Sequence, residues 1–273
     1  MLMLQLHDGT VIRATDSRDS MSANAFPPSP AECPGWTEGA TCPQGRLDTR
    51  CAACRVRSVS ICAALDAGEL DLLEALAADA DFAAKAAIAM QGDPATHVYN
   101  ITEGTVRLYR LLADGRRQII GFLLPGDFMG LALSDRYAFS ADAVEPVAAC
   151  RFDRAAFTQL VDDKPHLLRR LHEAATHELS LAQDHMVLLG RRTAEEKVAA
   201  FLVALRERLC RLGRRGVTLA LPMTRQDIAD YLGLTLETVS RTFSKLARDR
   251  VILIVPDGVR VLDRDRLQAI AAA

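Results

Sequence analysis

From Ile88 to Phe152 the chain runs in short apolar stretches punctuated by glycine, a texture found nowhere else in it. Gly92, Gly104, Gly115 and Gly126 recur every eleven or twelve residues. Between them, Thr105–Leu111 and Arg117–Leu123 alternate apolar with polar positions, the two-residue period of half-buried strands. Asp114-Gly115 lies between these two runs and is a strong tight-turn signal. Short strands at such spacing predict a sandwich or roll of antiparallel sheet. After Pro165 the period changes. Leu168, Ala175, Leu179, Ala182, Met186 and Leu189 fall on alternating three- and four-residue steps once His172 completes the series. This predicts one long helix to about Arg192 with a coiled-coil seam. A stripe packed on its own domain would look the same, but the helix's place between two domains favours a homodimer.

The flanking segments also have readable periods. Leu70, Leu72, Leu73 and Leu76, with acids between them, predict a short amphipathic helix over Leu65–Leu76. Thr193-Ala-Glu-Glu196 has the form of a capping box and opens a helix through Val198, Phe201, Leu202 and Leu205 to about Leu209. Val217–Leu221 reads as a strand. Thr224–Leu246 reads as two short helices around a turn at Gly233, with Ile228, Ala229, Leu232, Leu234, Val239 and Leu246 on the buried faces. Val251–Val255, Pro256-Asp-Gly258 and Val259–Leu262 form a hairpin, the wing of a winged helix-turn-helix.

The expected architecture is therefore α+β. Residues 67–164 form a β-roll, 165–192 a dimerisation helix and 193–273 a winged helix-turn-helix. Residues 33–66 are a cysteine-rich segment. Residues 1–32 are polar and irregular, with the character of a disordered segment, and Met21 would serve equally well as the start.

Composition places the chain among ordinary globular proteins: 273 residues, 49% hydrophobic and 25% charged. It contains no run of eighteen apolar residues, so no span of a bilayer is expected. The first thirty residues lack the apolar core of a secretory signal, and the expectation is a cytoplasmic protein. Charge is uneven. From Arg191 onward there are 16 Lys and Arg against 10 Asp and Glu, whereas residues 1–190 carry 17 against 25. A basic C-terminal third suits contact with nucleic acid through that third only.

Chemistry concentrates in two places. In the second helix of the pair, Glu237, Ser240 and Arg241 share one face by their three- and four-residue spacing. Arg bonds bidentately to guanine, and a carboxylate accepts from the cytosine amino group, so this face is expected to read double-stranded DNA. Arg225, Thr235 and Thr238 are further candidate DNA contacts. The other place is the cysteines, five of which fall between Cys33 and Cys62, with Cys150 and Cys210 apart. In a chain of this kind such crowding favours metal or redox chemistry over structural disulfides. Zinc sites usually pair two Cys-x2-Cys turns or add histidines, but here there is no second such turn and no histidine between Cys33 and Cys62. A thiol switch stays open. Cys210 reads as an ordinary buried thiol. His97, His166, His172, His177 and His185 read as surface or seam positions. No phosphate-binding glycine loop or nucleophile–histidine–carboxylate set marks an enzyme.

A roll, a long dimer helix and a C-terminal winged helix-turn-helix together resemble the CRP/FNR family of bacterial transcription regulators over roughly residues 60–265. The resemblance is carried by Gly104-Thr-Val-Arg-Leu108, Asp114-Gly-Arg-Arg-Gln118, Pro125-Gly-Asp-Phe-Met-Gly130 and Leu232-Gly-Leu-Thr-Leu-Glu-Thr-Val-Ser-Arg241. The last stretch is similar to the recognition helix of the FNR branch. The resemblance implies that Glu237, Ser240 and Arg241 read a TTGAT-like half-site of a palindrome. It also implies that roll loops near Asp114-Gly115 and Pro125–Gly130 touch RNA polymerase. In the cyclic-AMP branch an Arg followed by Ser or Thr holds the phosphate. Here Arg136 is followed by Tyr137 and the preceding turn acid is Asp127 rather than Glu, so no cyclic nucleotide is expected.

Cys51-x2-Cys54-x7-Cys62 with Cys150 in the roll is similar to the ligand set of FNR-type oxygen sensors, which hold a [4Fe-4S] cluster. Seven residues separate Cys54 from Cys62, where more familiar members have five. Cys33 and Cys42 are extra. The resemblance further implies that cluster loss weakens the dimer. Family members often set a charge in the seam, whereas this chain has Ala182 there and Asp184 off the stripe. A dimer that persists without the cluster, with switching through helix orientation, is then the expectation. The competing reading is a cluster-free member of the family, with a thiol or zinc switch or a small-molecule effector.

Overall fold

The computed structural model describes residues 51, 53–130, 135–214 and 216–272. The segment 1–32, Cys33 and Cys42 lie outside the described residues, as do Leu131–Ser134 in the loop before Arg136.

Two single-turn helices, Arg57–Val59 and Ile61–Ala64, lead into α1 (Ala67–Leu76). Asp66 accepts from the Glu69 N–H while Glu69 reaches back to the Asp66 N–H, so both orphan donors at the start of α1 are satisfied. The roll follows as β1 (Ala77–Phe82), β2 (Ala87–Ala89), β3 (His97–Glu103), β4 (Val106–Leu111), β5 (Arg117–Leu123), β6 (Phe128–Met129), β7 (Ser140–Ala143) and β8 (Val147–Asp153). One antiparallel sheet has the order β1-β8-β3-β6 and the other β2-β7-β4-β5. The Asp114-Gly115 turn closes the β4–β5 hairpin as its sequence predicts, with Gly115 at φ 82° and Leu111 opposite Arg117. Val98, Ile101, Val106, Ala141 and Ala149, each buried, come from alternate faces of these strands.

Three elements are additional to those the periodicity predicts. Strand β1 reads Ala-Ala-Asp-Ala-Asp-Phe and has almost no apolar alternation, yet its backbone pairs along β8 from Ala77–Phe152 to Phe82–Val147. The short helix α2 (Arg154–Asp162), capped by Asp153, buries Phe157, Leu160 and Val161. At the C-terminus α7 (Arg264–Ala272) packs on the reading domain through Leu267.

Helix α3 (Pro165–Arg191) is the long helix expected. Leu167 is fully buried and Leu171 packs beside it, which ties the start of α3 to α1, α2 and the roll. Beyond that tie the seam faces out: Leu168, Leu179 and Met186 are more than half exposed, and Ala175 and Ala182 are exposed. Leu189 departs from the seam. It is half-buried, and its Cδ2 lies 3.4 Å from where a Cβ on Gly233 would stand, so the chain's own reading domain covers part of it.

The C-terminal domain comprises α4 (Ala194–Arg211), β9 (Thr218–Ala220), α5 (Arg225–Leu232), α6 (Leu236–Arg248), the wing hairpin β10 (Ile252–Val255) and β11 (Gly258–Val261), and α7. Thr193 caps α4 in the capping box read from sequence. The roll contributes to this domain's core. Ile119, Phe122 and Leu124 of the β5 region belong to the same buried cluster as Leu202, Ile228, Leu232 and Phe243. Phe122 meets Tyr231 with ring centroids 5.5 Å apart, and Phe201 at 6.4 Å. Among the described residues no helix is long and apolar enough to cross a membrane.

Candidate nucleic-acid interface and cysteine site

Gly233 makes the turn between α5 and α6. It takes φ +62°, a region open to glycine and costly for a side chain, and its N–H closes on the Ala229 carbonyl. The Thr235 hydroxyl then caps α6 by accepting from the Thr238 N–H at 3.1 Å, and the two threonine hydroxyls lie 2.8 Å apart. Val239, Thr242, Phe243 and Leu246 face inward. The outward face gathers Glu237, Ser240, Arg241, Ser244, Lys245 and Arg248 along one shallow groove. Glu237 and Arg241 are paired one turn apart while both remain more than two-thirds exposed.

The expected reading trio is thus brought together on one accessible face. Thr235 and Thr238 stand at its N-terminal edge with their hydroxyls engaged in capping. Arg225 departs from the expectation. Its guanidinium lies over the Phe243 ring, 3.2 Å from the centroid, instead of projecting with the trio. Burial pushes its pKa down to about 10, and its Nη1 has no hydrogen-bond partner among the described residues. Lys245 and Arg248 share the trio's groove, although sequence reasoning singled out neither. Their four- and seven-residue steps from Arg241 carried the signal.

The cysteine site lies at the other end of the chain. Cys51 and Cys62 are buried in one apolar cluster with Leu70, Leu73, Phe152 and Leu167, and Cys150 on β8 packs against the same cluster. Burial pushes the Cys62 thiol up, a hydrogen bond involving Ser60 pulls it down, and neighbouring Cys54 pushes it up again. Cys54 is partly exposed. The Cys51 N–H donates to Glu74 of α1 at 3.0 Å, anchoring the start of the segment. Among the described residues no three His, Cys, Asp or Glu side chains are arranged to hold a single metal ion.

His185 departs from the surface-or-seam expectation, whereas His166 stays partly exposed at the surface. His166 meets the Glu69 carboxylate at 2.9 Å, beside Lys164 at 3.2 Å. His185 is half-buried and stacked on Tyr231. In the roll, Tyr99, Met129 and Tyr137 are buried in one apolar cluster. The Tyr137 hydroxyl donates to the His97 carbonyl at 2.9 Å, and Arg136 donates to the Gly92 carbonyl at 2.6 Å.

A strand-built roll joined by a long helix to a winged helix-turn-helix with an exposed, partly basic second helix defines a DNA-binding transcription regulator. Comparison with known proteins agrees: residues 196–270 match the Crp-like helix-turn-helix domain, and residues 80–164 match the cyclic nucleotide-binding domain. The chain belongs to the CRP/FNR family of transcription regulators, whose members are not enzymes. It is 54% identical to the transcriptional activatory protein AadR of Rhodopseudomonas palustris over 85% of this chain and 96% of that one. It is 53% identical to the nitrogen fixation regulation protein FixK of Bradyrhizobium diazoefficiens, over 82% and 94% respectively. The solved structure of FixK2 from Bradyrhizobium japonicum superposes with a TM-score of 0.66 at 37% identity, covering 72% of this chain and 98% of that one.

Proposed function

We propose that this regulator binds a palindromic promoter site as a homodimer and reports oxygen through a [4Fe-4S] cluster held by Cys51, Cys54, Cys62 and Cys150. The observation that carries the reading is the shared neighbourhood of the four thiols. Three come from one short segment, and the fourth comes from the strand against which that segment's core packs. A [4Fe-4S] cluster takes four cysteine thiolates, and this chain offers three from one segment and a fourth from the roll. When bound, such a cluster supplies a redox centre that oxygen destroys.

The chain's own residues would do the rest. The Cys51–Cys62 segment lies on α1 and against the start of α3, so its retention or release bears directly on the root of the dimer helix. Leu168, Leu179 and Met186 offer an apolar seam to a second copy, and covering each large side chain would contribute about 1.5–3 kcal/mol. Dimerisation would set two α6 helices about one DNA turn apart. Glu237, Ser240 and Arg241 would read a TTGAT-like half-site, while Lys245 and Arg248 would meet phosphates. The similarity to a nitrogen fixation regulator supports target genes tied to low oxygen, with RNA polymerase approached through roll loops. Cyclic nucleotide has no part in this reading, because Arg136 is followed by Tyr137 rather than Ser or Thr and donates to the Gly92 carbonyl.

Anaerobic purification with iron and sulfide quantification tests the proposal. About four of each per chain is expected, with a coordinate loss in Cys54→Ala and Cys150→Ala and weaker binding to the palindrome after exposure to air. Colourless, iron-free protein prepared without air and still binding at full strength would leave the cluster-free reading, with a thiol, zinc or small-molecule effector.

A further inference from the structure

The stretch Asp114–Gln118 ends in two polar residues, Arg117 and Gln118, at the start of β5. Together with Arg107 on the facing strand, they reach across to the first helix of the reading domain. Arg107 Nη1 and Arg117 Nη2 converge on the Asp227 Oδ1, at 2.5 and 2.7 Å. Arg117 also holds Asp230 through Nε at 3.1 Å and Nη2 at 2.7 Å, and the Gln118 amide donates to the Asp230 carbonyl at 2.6 Å. The Asp227 side chain is only 3% exposed. Its other oxygen accepts from the Thr224 N–H and hydroxyl, so the residue that completes the α5 capping box is also the anchor. Asp142 grips Arg107 from behind at 2.6 and 2.9 Å, fixing the guanidinium to the roll.

Asp227 and Asp230 sit nearly one turn apart on the same face of α5. One anchor would let the helix pivot, whereas two fix its rotation against the β4–β5 hairpin. Helix α5 is rigidly joined to α6 through the Gly233 turn, and the face that bears Glu237 and Arg241 stays exposed, clear of the grip. The contact therefore sets the angle of the reading head without covering it. We propose that Arg107 and Arg117 are specificity-determining positioning residues: by gripping Asp227 and Asp230 they fix the separation of the two recognition helices, and hence the half-site spacing that the dimer accepts. This rests on the dimeric reading above.

Adding or removing one base pair between half-sites turns one of them by about 34–36° and moves it about 3.4 Å. Fluorescence anisotropy on anaerobically prepared full-length protein would compare palindromes of native, longer and shorter spacing with a duplex bearing a single half-site. The wild type is expected to lose about tenfold in affinity for one base pair, the low end of what a mismatched pair costs. Arg117→Gln should shrink that loss to about threefold with single-half-site affinity unchanged, a pattern that mere destabilisation would not give. Arg117→Lys, which keeps a cation between Asp227 and Asp230, should retain most of the wild-type penalty. An Arg117→Gln variant that keeps the full spacing penalty overturns the proposal. A wild type indifferent to spacing also overturns it, whereas a wild type that binds the palindrome no better than the single half-site overturns the dimeric reading itself.

Discussion

The imidazole of His185, near the end of the long helix α3, lies flat on the Tyr231 ring of α5, with centroids 4.2 Å apart and planes 18° from parallel. Burial pushes the His185 pKa below its ordinary value. A hydrogen bond to the Tyr231 backbone opposes the shift, and the Lys197 ammonium reinforces it. Its Nε2 has no partner among the described residues. The unfolded chain therefore takes up this proton more readily than the folded one. Stability from the neutral stack is complete above about pH 6.5 and is lost as pH falls through the lower folded value. Thermal denaturation between pH 7.5 and 5.5 should show Tm falling toward acid, and His185→Phe, which keeps the stack without a titrating nitrogen, should flatten that fall. An unchanged slope in the variant would assign the acid sensitivity elsewhere.

The seam gives a second expectation. Leu179 and Met186 are 58% and 62% exposed, and neither belongs to a buried cluster of the chain's own, so an aspartate there costs the monomer little. Leu179→Asp should leave Tm of the chain near its wild-type value at low concentration but shift sedimentation to the monomer. Binding to the two-half-site palindrome should fall about a hundredfold or more, because a charge buried in a paired seam costs several kcal/mol. A dimeric Leu179→Asp protein would place the dimer contact off this stripe.

How much of this was legible in the sequence depended on whether the deciding partner was local. Turn glycines, the capping box at Thr193 and the face of α6 rest on residues within a few positions of one another, and the chain's period shows them directly. Strand β1 depends on backbone pairing with β8, about seventy residues away, and its Ala-Asp alternation carries almost no apolar signal. His185 stands beside Met186 on a long exposed helix, so it read as a surface or seam position. Only the fold reveals Tyr231 against its face. Arg225 stands at the start of a DNA-reading motif, where an outward cation is the natural expectation, but the Phe243 ring beneath it captures the guanidinium. The spacing of Cys51, Cys54 and Cys62 was legible locally, whereas Cys150 entered only through the family resemblance. That Cys150 shares a core with Cys51 and Cys62 required the topology that brings β8 alongside the segment's packing partners.

On the proposed reading the α6 face would make two kinds of contact. Arg241 and Glu237 would meet base edges, whereas Lys245 and Arg248, further along the same groove, would meet phosphates. Arg241→Ala should lower affinity for the cognate site by about 1–3 kcal/mol and relax preference at one base position. Arg248→Ala should weaken binding about equally for all sequences and reduce the salt slope by about one unit. Titrations at several salt concentrations on cognate and single-substitution duplexes would separate the two. If Arg248→Ala altered base preference instead, the division of roles along the groove would be reversed.

Gly258 opens strand β11 of the wing, where no residue with a side chain can stand. A Cβ built there would lie 1.9 Å from the Leu219 carbonyl oxygen and 3.2 Å from the Ala220 Cα, both backbone atoms that a rotamer change cannot move aside. Gly258 pairs with Ala220 and Val259 with Leu219, so relief of the clash must part β11 from β9. That parting would uncover Leu219 and Val259, which are both almost fully buried and close the reading domain's core. Gly258→Ala should therefore cost about 2–4 kcal/mol of stability, despite adding a single methyl group. Because β9 and β11 belong to the C-terminal domain, the loss should appear as early melting of that domain and weakened DNA binding, with the cysteine site and the α3 seam retained. Hydrogen exchange resolved by segment would check this, and protection of β9 and β11 equal to wild type would show that the wing accommodates the methyl by another route.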